Sequence, residues 1–77
     1  MKIYPNPCKN WCTIVMNDAI CNDCELNLYD ILGKEIRKIK VTDKRMILKR
    51  ENIPDGLYFL RFISNNKTFT QKINFTN

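Results

Sequence analysis

The sequence predicts an all-β fold, an antiparallel sandwich of about seven short strands. Three observations carry this. Apolar residues alternate with polar ones, or run together only briefly, along most of the chain. Turn chemistry recurs about every ten residues between those runs. Little of the chain shows the 3.6-residue spacing of an amphipathic helix.

The elements follow in order. Residues 2–4 form a short strand that two prolines stop, since each proline fixes φ and lacks an N–H donor. Residues 12–16 place Cys12, Ile14 and Met16 on one face, and residues 24–30 do the same with Cys24, Leu26 and Leu28. Residues 35–41 are charged enough to predict an edge strand. Residues 45–49 carry Met46 and Leu48 in one phase. In residues 57–63 only Arg61 is polar, so this strand is expected to be central with both faces covered. Residues 67–75 close the chain with Phe69, Ile73 and Phe75 in phase. Turns are expected at Asn17-Asp18, Leu32-Gly33-Lys34, Asp43-Lys44, Pro54-Asp55-Gly56 and Asn65-Asn66, with positive φ at Gly33 and Gly56. The expected core holds Leu26, Leu28, Tyr58, Leu60 and Ile73.

Seventy-seven residues make one domain, and a domain this small buries only about 60% of its unfolded surface, which leaves it marginal without help. The net charge of +5 is spread through residues 34–40 and 44–50 among apolar side chains. That reads as the solvated face of strands ahead of a nucleic-acid or anionic membrane patch. No apolar run approaches the ~18–20 residues of a membrane-spanning helix, and no stable membrane insertion is expected. Met1-Lys2-Ile3 leads straight into Tyr4-Pro5-Asn6-Pro7 without an apolar leader segment. A secreted role is therefore expected to need a longer protein, with residues 1–77 as its tail.

Catalytic chemistry is sparse. There is no histidine, Ser64 is the sole serine, and the carboxylates Asp18, Asp23, Asp30 and Asp43 sit at expected turns or strand ends without pairing. No Gly-rich phosphate loop is present. A non-catalytic domain without a cofactor is expected. Tyr58, Phe59 and Phe62 beside Arg61 could form a stacking platform for single-stranded nucleic acid, but core packing yields the same pattern and is favoured. Trp11 is expected to cover one end of the sandwich, with an exposed docking anchor as the alternative.

The cysteines Cys8, Cys12, Cys21 and Cys24 have the spacing C-x3-C-x8-C-x2-C. Disulfides, a four-thiolate zinc site and free buried thiols all remain open. Disulfides are the natural reinforcement of a small exported domain, and zinc comes last because Cys12 and Cys24 lie in core phase. Three pairings are possible. Cys8 with Cys21 and Cys12 with Cys24 is preferred, joining loop to loop and strand to strand.

Four segments in order span nearly the whole chain: Tyr4-Pro5-Asn6-Pro7; residues 28–36, which hold Tyr29-Asp30 and Gly33-Lys34; residues 53–61, which hold Pro54, Gly56 and Tyr58; and Thr70-Gln71-Lys72-Ile73. Together they resemble the type A C-terminal sorting domain of the type IX secretion system. The resemblance implies a seven-stranded immunoglobulin-like sandwich at the tail of a secreted protein of Bacteroidetes-type bacteria. It implies sorting-motif roles for Tyr4, Pro5, Asn6, Pro7, Asp30, Gly33, Pro54, Gly56, Tyr58, Lys72 and Ile73. The implied partners are an outer-membrane translocon, its shuttle proteins and a surface sortase that removes the domain and anchors the passenger, commonly on lipopolysaccharide. The implied route is periplasm, then cell surface or medium. Two features depart from the family pattern: the slightly polar ending Asn74-Phe75-Thr76-Asn77 after Ile73, and the four cysteines. Readings from other functional classes are an immunoglobulin-like adhesion or carbohydrate-binding module, for which the sequence offers no clear residue cluster, and a small zinc- or nucleic-acid-binding domain.

Overall fold

The structure, a computed structural model, describes residues 1–16, 24–64 and 67–76. Seven strands follow one another: β1 (Lys2–Tyr4), β2 (Trp11–Val15), β3 (Glu25–Tyr29), β4 (Glu35–Lys40), β5 (Arg45–Lys49), β6 (Gly56–Ile63) and β7 (Thr68–Phe75). They form a three-stranded sheet, β1-β2-β5, and a four-stranded sheet, β4-β3-β6-β7, with antiparallel pairing throughout. Each predicted strand is present to within one residue at either end. The expected turns at Asn17-Asp18 and Asn65-Asn66 lie outside the described residues.

Period-two patterning decides which side chains meet. Ile3, Cys12, Ile14 and Leu48 of the smaller sheet join Leu26, Leu28, Tyr58, Leu60, Phe62, Ile73 and Phe75 of the larger in one buried cluster. All five expected core residues are in it. Burying a side chain of this size is worth about 1.5–3 kcal/mol, so this layer is the main stabilising element. Tyr58 meets Phe75 edge-on at 5.5 Å between ring centres.

Strand β4 is an edge strand, as its charges predict. Strand β6 is interior in the pairing order, but only one of its faces is covered. Tyr58, Leu60 and Phe62 point inward, whereas Leu57 and Arg61 are exposed and Phe59 and Ile63 are half-buried. The expectation that both faces are covered is therefore corrected, because the described residues form two layers and no third. Phe69 is 44% exposed even though it lies in phase with Ile73, and its ring stacks on Phe62 at the margin of the core.

Turn geometry departs from the sequence reading at one place. The hydrogen-bonded turn between β5 and β6 is residues 50–53, closed by Ile53 N–H donating to the Arg50 carbonyl at 3.2 Å, with Glu51 at φ +55°. Pro54-Asp55-Gly56 is instead the bend that delivers the chain into β6, with Gly56 at φ +144°. Gly33 also has positive φ, +86°. Both glycines occupy backbone conformations that cost any other residue strain.

Candidate functional site at one pole of the sandwich

Strand register gathers the motif segments at one end of the molecule. In the larger sheet Gly56 pairs with Phe75, Tyr58 with Ile73, Phe59 with Lys72, and Tyr29 with Phe59. The bend before β6, the end of β7 and the β3–β4 turn therefore lie together. In the smaller sheet Trp11 pairs with Lys49 at the same end, and the opening segment, residues 5–10, reaches it from Tyr4.

The opening segment closes onto β7. Tyr4-Pro5 and Asn6-Pro7 are both cis. Between the prolines, the Asn6 carboxamide acts as one rung of a ladder: its Nδ2 donates to the Lys72 carbonyl and its Oδ1 accepts from Asn74 N–H, both at 3.1 Å. Cys8 continues the rung in backbone, donating to the Asn74 carbonyl at 2.7 Å and accepting from Thr76 N–H at 2.9 Å. A short parallel bridge joins Cys8 to Phe75. An asparagine fits between two prolines here because its side chain replaces donors that proline lacks. Lys72 itself is exposed and Ile73 buried, as their opposite phases require.

Arg50 ties these segments to the rest. Its Nε donates to the Ile53 carbonyl at 2.8 Å, and its Nη1 to those of Lys9 and Thr76, each at 3.1 Å. Its Nη2 pairs with Asp55, and the guanidinium carbon lies 5.6 Å from the centre of the Phe75 ring. Arg37, from β4, crosses to the smaller sheet, donating to the Lys49 and Arg50 carbonyls and pairing with Glu51 at 3.4 Å. Tyr58 donates its hydroxyl to the Pro54 carbonyl at 2.8 Å, fixing the bend to the strand it feeds. Sequence reading missed both arginines, which look like two bases among thirteen. The available signal was arginine in place of lysine, since only a planar fork reaches several carbonyls at once.

Asp30 builds the β3–β4 turn. One carboxylate oxygen accepts from Leu32 and Lys34 N–H, both at 2.9 Å, while Gly33 N–H donates to the Asp30 carbonyl at 3.0 Å. The carboxylate is consumed in shaping the loop. The loop raises two apolar side chains into water, Ile31 at 67% and Leu32 at 89% exposure. Trp11 is also out in solvent, 52% exposed, so its expected role covering the end of the sandwich is corrected. It sits on the outer face of β2, opposite in phase to Cys12 and Ile14. Beside the loop, a shallow hollow of about 280 Å³ opens on the outer face of the larger sheet, between Tyr29, Ile31, Phe59, Arg61 and Thr70. Arg61 lies 5.1 Å over the Tyr29 ring there. Tyr4 is flanked by Lys2 and Arg45 at 5.8 and 6.0 Å.

The cysteines behave differently from the preferred pairing. Cys8 and Cys12 are free thiols, fully buried, so neither the Cys8–Cys21 nor the Cys12–Cys24 bridge is present. The physical reason is their setting: both face the core at the base of the opening segment and touch each other. Burial pushes the Cys8 thiol up, against a smaller downward pull from its Cys12 contact and Arg50. Burial, then the neighbouring Cys8, pushes Cys12 up to about 12. Cys24 is disulfide-bonded, which removes it from any four-thiolate zinc site. Cys21 lies outside the described residues.

Of the expected sorting residues, Asn6, Pro7, Asp30, Gly33, Pro54, Gly56, Tyr58, Lys72 and Ile73 meet at this pole, and Tyr4-Pro5 leads into it. Asn6, Asp30, Arg37, Arg50 and Tyr58 hold backbone in place, and the pole presents its shape together with exposed apolar side chains. Among the described residues no helix is long and apolar enough to cross a membrane. No curated protein matches the chain. A family described as the secretion system C-terminal sorting domain, a secretion-signal class and not a class of enzymes, matches residues 2–75, from the first strand to the end of the last. By that match the chain belongs to the secretion system C-terminal sorting domains, the C-terminal sorting signals of type IX secretion.

Proposed function

We propose that this domain is the tail of a larger exported protein and that its motif pole is the surface the secretion machinery reads. The observation that carries the reading is convergence. Segments separated by the length of the chain, Asn6, Asp30, Gly56 and Lys72, are brought to one end and held there by strand pairing and by side-chain hydrogen bonds to backbone. A signal presented by a folded end works on any passenger, because it depends on the domain alone. Ile31, Leu32 and Trp11 supply exposed apolar contacts at that end.

The partners in this reading are the outer-membrane translocon and shuttle proteins of a Bacteroidetes-type bacterium, met after transit through the periplasm. A surface sortase then removes the domain and anchors the passenger at the cell surface. The immunoglobulin-like assignment is supported by topology. The division β1-β2-β5 against β4-β3-β6-β7 differs from that of an immunoglobulin constant domain only in which sheet takes the fourth strand. The Tyr58 hydroxyl bonded back to Pro54 resembles the tyrosine corner of such sandwiches.

The test is a fusion of a signal peptide, a fluorescent reporter and residues 1–77, expressed in a bacterium that has the system. The expected result is reporter at the surface or in the medium, with the domain missing from the mature product by mass. Reporter retained in the periplasm of several competent hosts overturns the sorting reading. Export with the domain still attached overturns the sortase step alone.

A further inference from the structure

We propose that Cys8 and Cys12 form a disulfide with each other when the chain folds in an oxidising compartment, and that this bond fastens the end of β7 to the smaller sheet. Both side chains are fully buried in the same core cluster, four positions apart, with their thiols in contact. Each is anchored to a different layer. Cys12 lies in β2 opposite Leu48 of β5. Cys8 is held by backbone hydrogen bonds to Asn74 and Thr76 and bridged to Phe75. The intervening loop is tied down too, by Arg50 N–H donating to the Asn10 carbonyl at 2.9 Å. A bond between the two sulfurs therefore links the sheets at the point where the opening segment clasps the last strand. A domain this small gains more from such a link than a larger one would.

The chemistry is thiol–disulfide exchange with a small or protein disulfide as oxidant. One thiolate attacks a sulfur of the oxidant, breaking its S–S bond and releasing one thiol; the second thiolate attacks the cysteine sulfur of the resulting mixed disulfide and expels the oxidant's other sulfur as the second thiol. Two thiol protons leave, one S–S bond forms, and the oxidant is reduced to two thiols. Burial holds both thiols protonated in the finished fold, so exchange belongs to the stage before the core closes. Once formed, the bond is screened from reductant by the same packing.

The experiment needs only the 77-residue chain and oxidised and reduced glutathione, so it stands apart from the sorting reading. The reduced chain is refolded in that buffer, the protease-resistant fraction is isolated, and remaining thiols are alkylated. Trypsin cuts after Lys9, and an aspartate-directed protease cuts before Asp18. The expected product is fragment 3–9 joined to fragment 10–17 through Cys8 and Cys12. Recovery of both cysteines alkylated overturns the proposal, as does either one joined to Cys21 or Cys24. A second reading follows the same bond under dithiothreitol. It should open at least tenfold faster in urea than in buffer, and equal rates would contradict a buried link between the sheets.

Discussion

The guanidinium of Arg50 donates to the nearby Ile53 carbonyl and to the remote carbonyls of Lys9 and Thr76, and pairs with Asp55. Lysine carries the same charge but cannot make this fork. Arg50→Lys should therefore destabilise the domain by at least about 1.5–3 kcal/mol, the scale of one charged hydrogen bond, and nearly as much as Arg50→Ala. Urea midpoints of the two variants check this, and a wild-type midpoint for Arg50→Lys would show that charge alone suffices. No pattern in the sequence singles out Arg50, because its role depends on where distant carbonyls arrive. Cys12 supplies a pH test. Its thiol sits at about 12 in the fold against an unperturbed 9.0. A group that holds its proton more tightly when folded contributes stability that is whole below its unfolded pKa and lost as pH rises through the folded one. The reduced chain should lose stability between about pH 9 and 12 more steeply than Cys12→Ser, and parallel curves would contradict the buried thiol. Four cysteines allow three pairings and their spacing could not choose among them, since the thiol contact is made by the fold.

Strands were legible because their cause is local. Alternation fixes the inward face, so Leu26, Leu28 and Leu60 reach the core as their phase requires. Leu60→Ala should cost roughly 2–5 kcal/mol, enough to unfold a marginal domain, as a denaturant melt would register. The outer face of β6 was not legible, because a continuous apolar run looks alike with one face covered or two. Turns divide the same way. Gly33 and Gly56 announce positive φ, whereas the turn over residues 50–53 rests on a left-handed Glu51 that no propensity favours. Gly56→Val should cost about 1–3 kcal/mol through backbone strain at φ +144°. Asp55→Ala should cost about 1 kcal/mol or less, since the Asp55 side chain is half in solvent. Equal small losses in thermal unfolding would contradict the strained assignment of Gly56.

At the scale of the whole molecule, the four motif segments were readable as residues but not as a place. Each has a local reason to exist, as a strand stop, a turn or a bend. Only the register that sets Gly56 against Phe75 and Tyr29 against Phe59 shows that they share one pole. Ile31 and Leu32 stand mostly in solvent, so replacing them should change stability by no more than about 0.5 kcal/mol. They can therefore separate recognition from folding. The most direct measurement compares reporter export by the wild-type fusion, by Ile31→Ser with Leu32→Ser at the motif pole, and by Lys44→Ser at the opposite end, where Met16 N–H donates to the Lys44 carbonyl. All three fusions should show the same thermal unfolding. The account predicts that export falls at least tenfold in the motif-pole variant and stays at the wild-type level in the Lys44 variant. Equal export by all three would contradict the claim that the machinery reads this pole through its exposed apolar side chains.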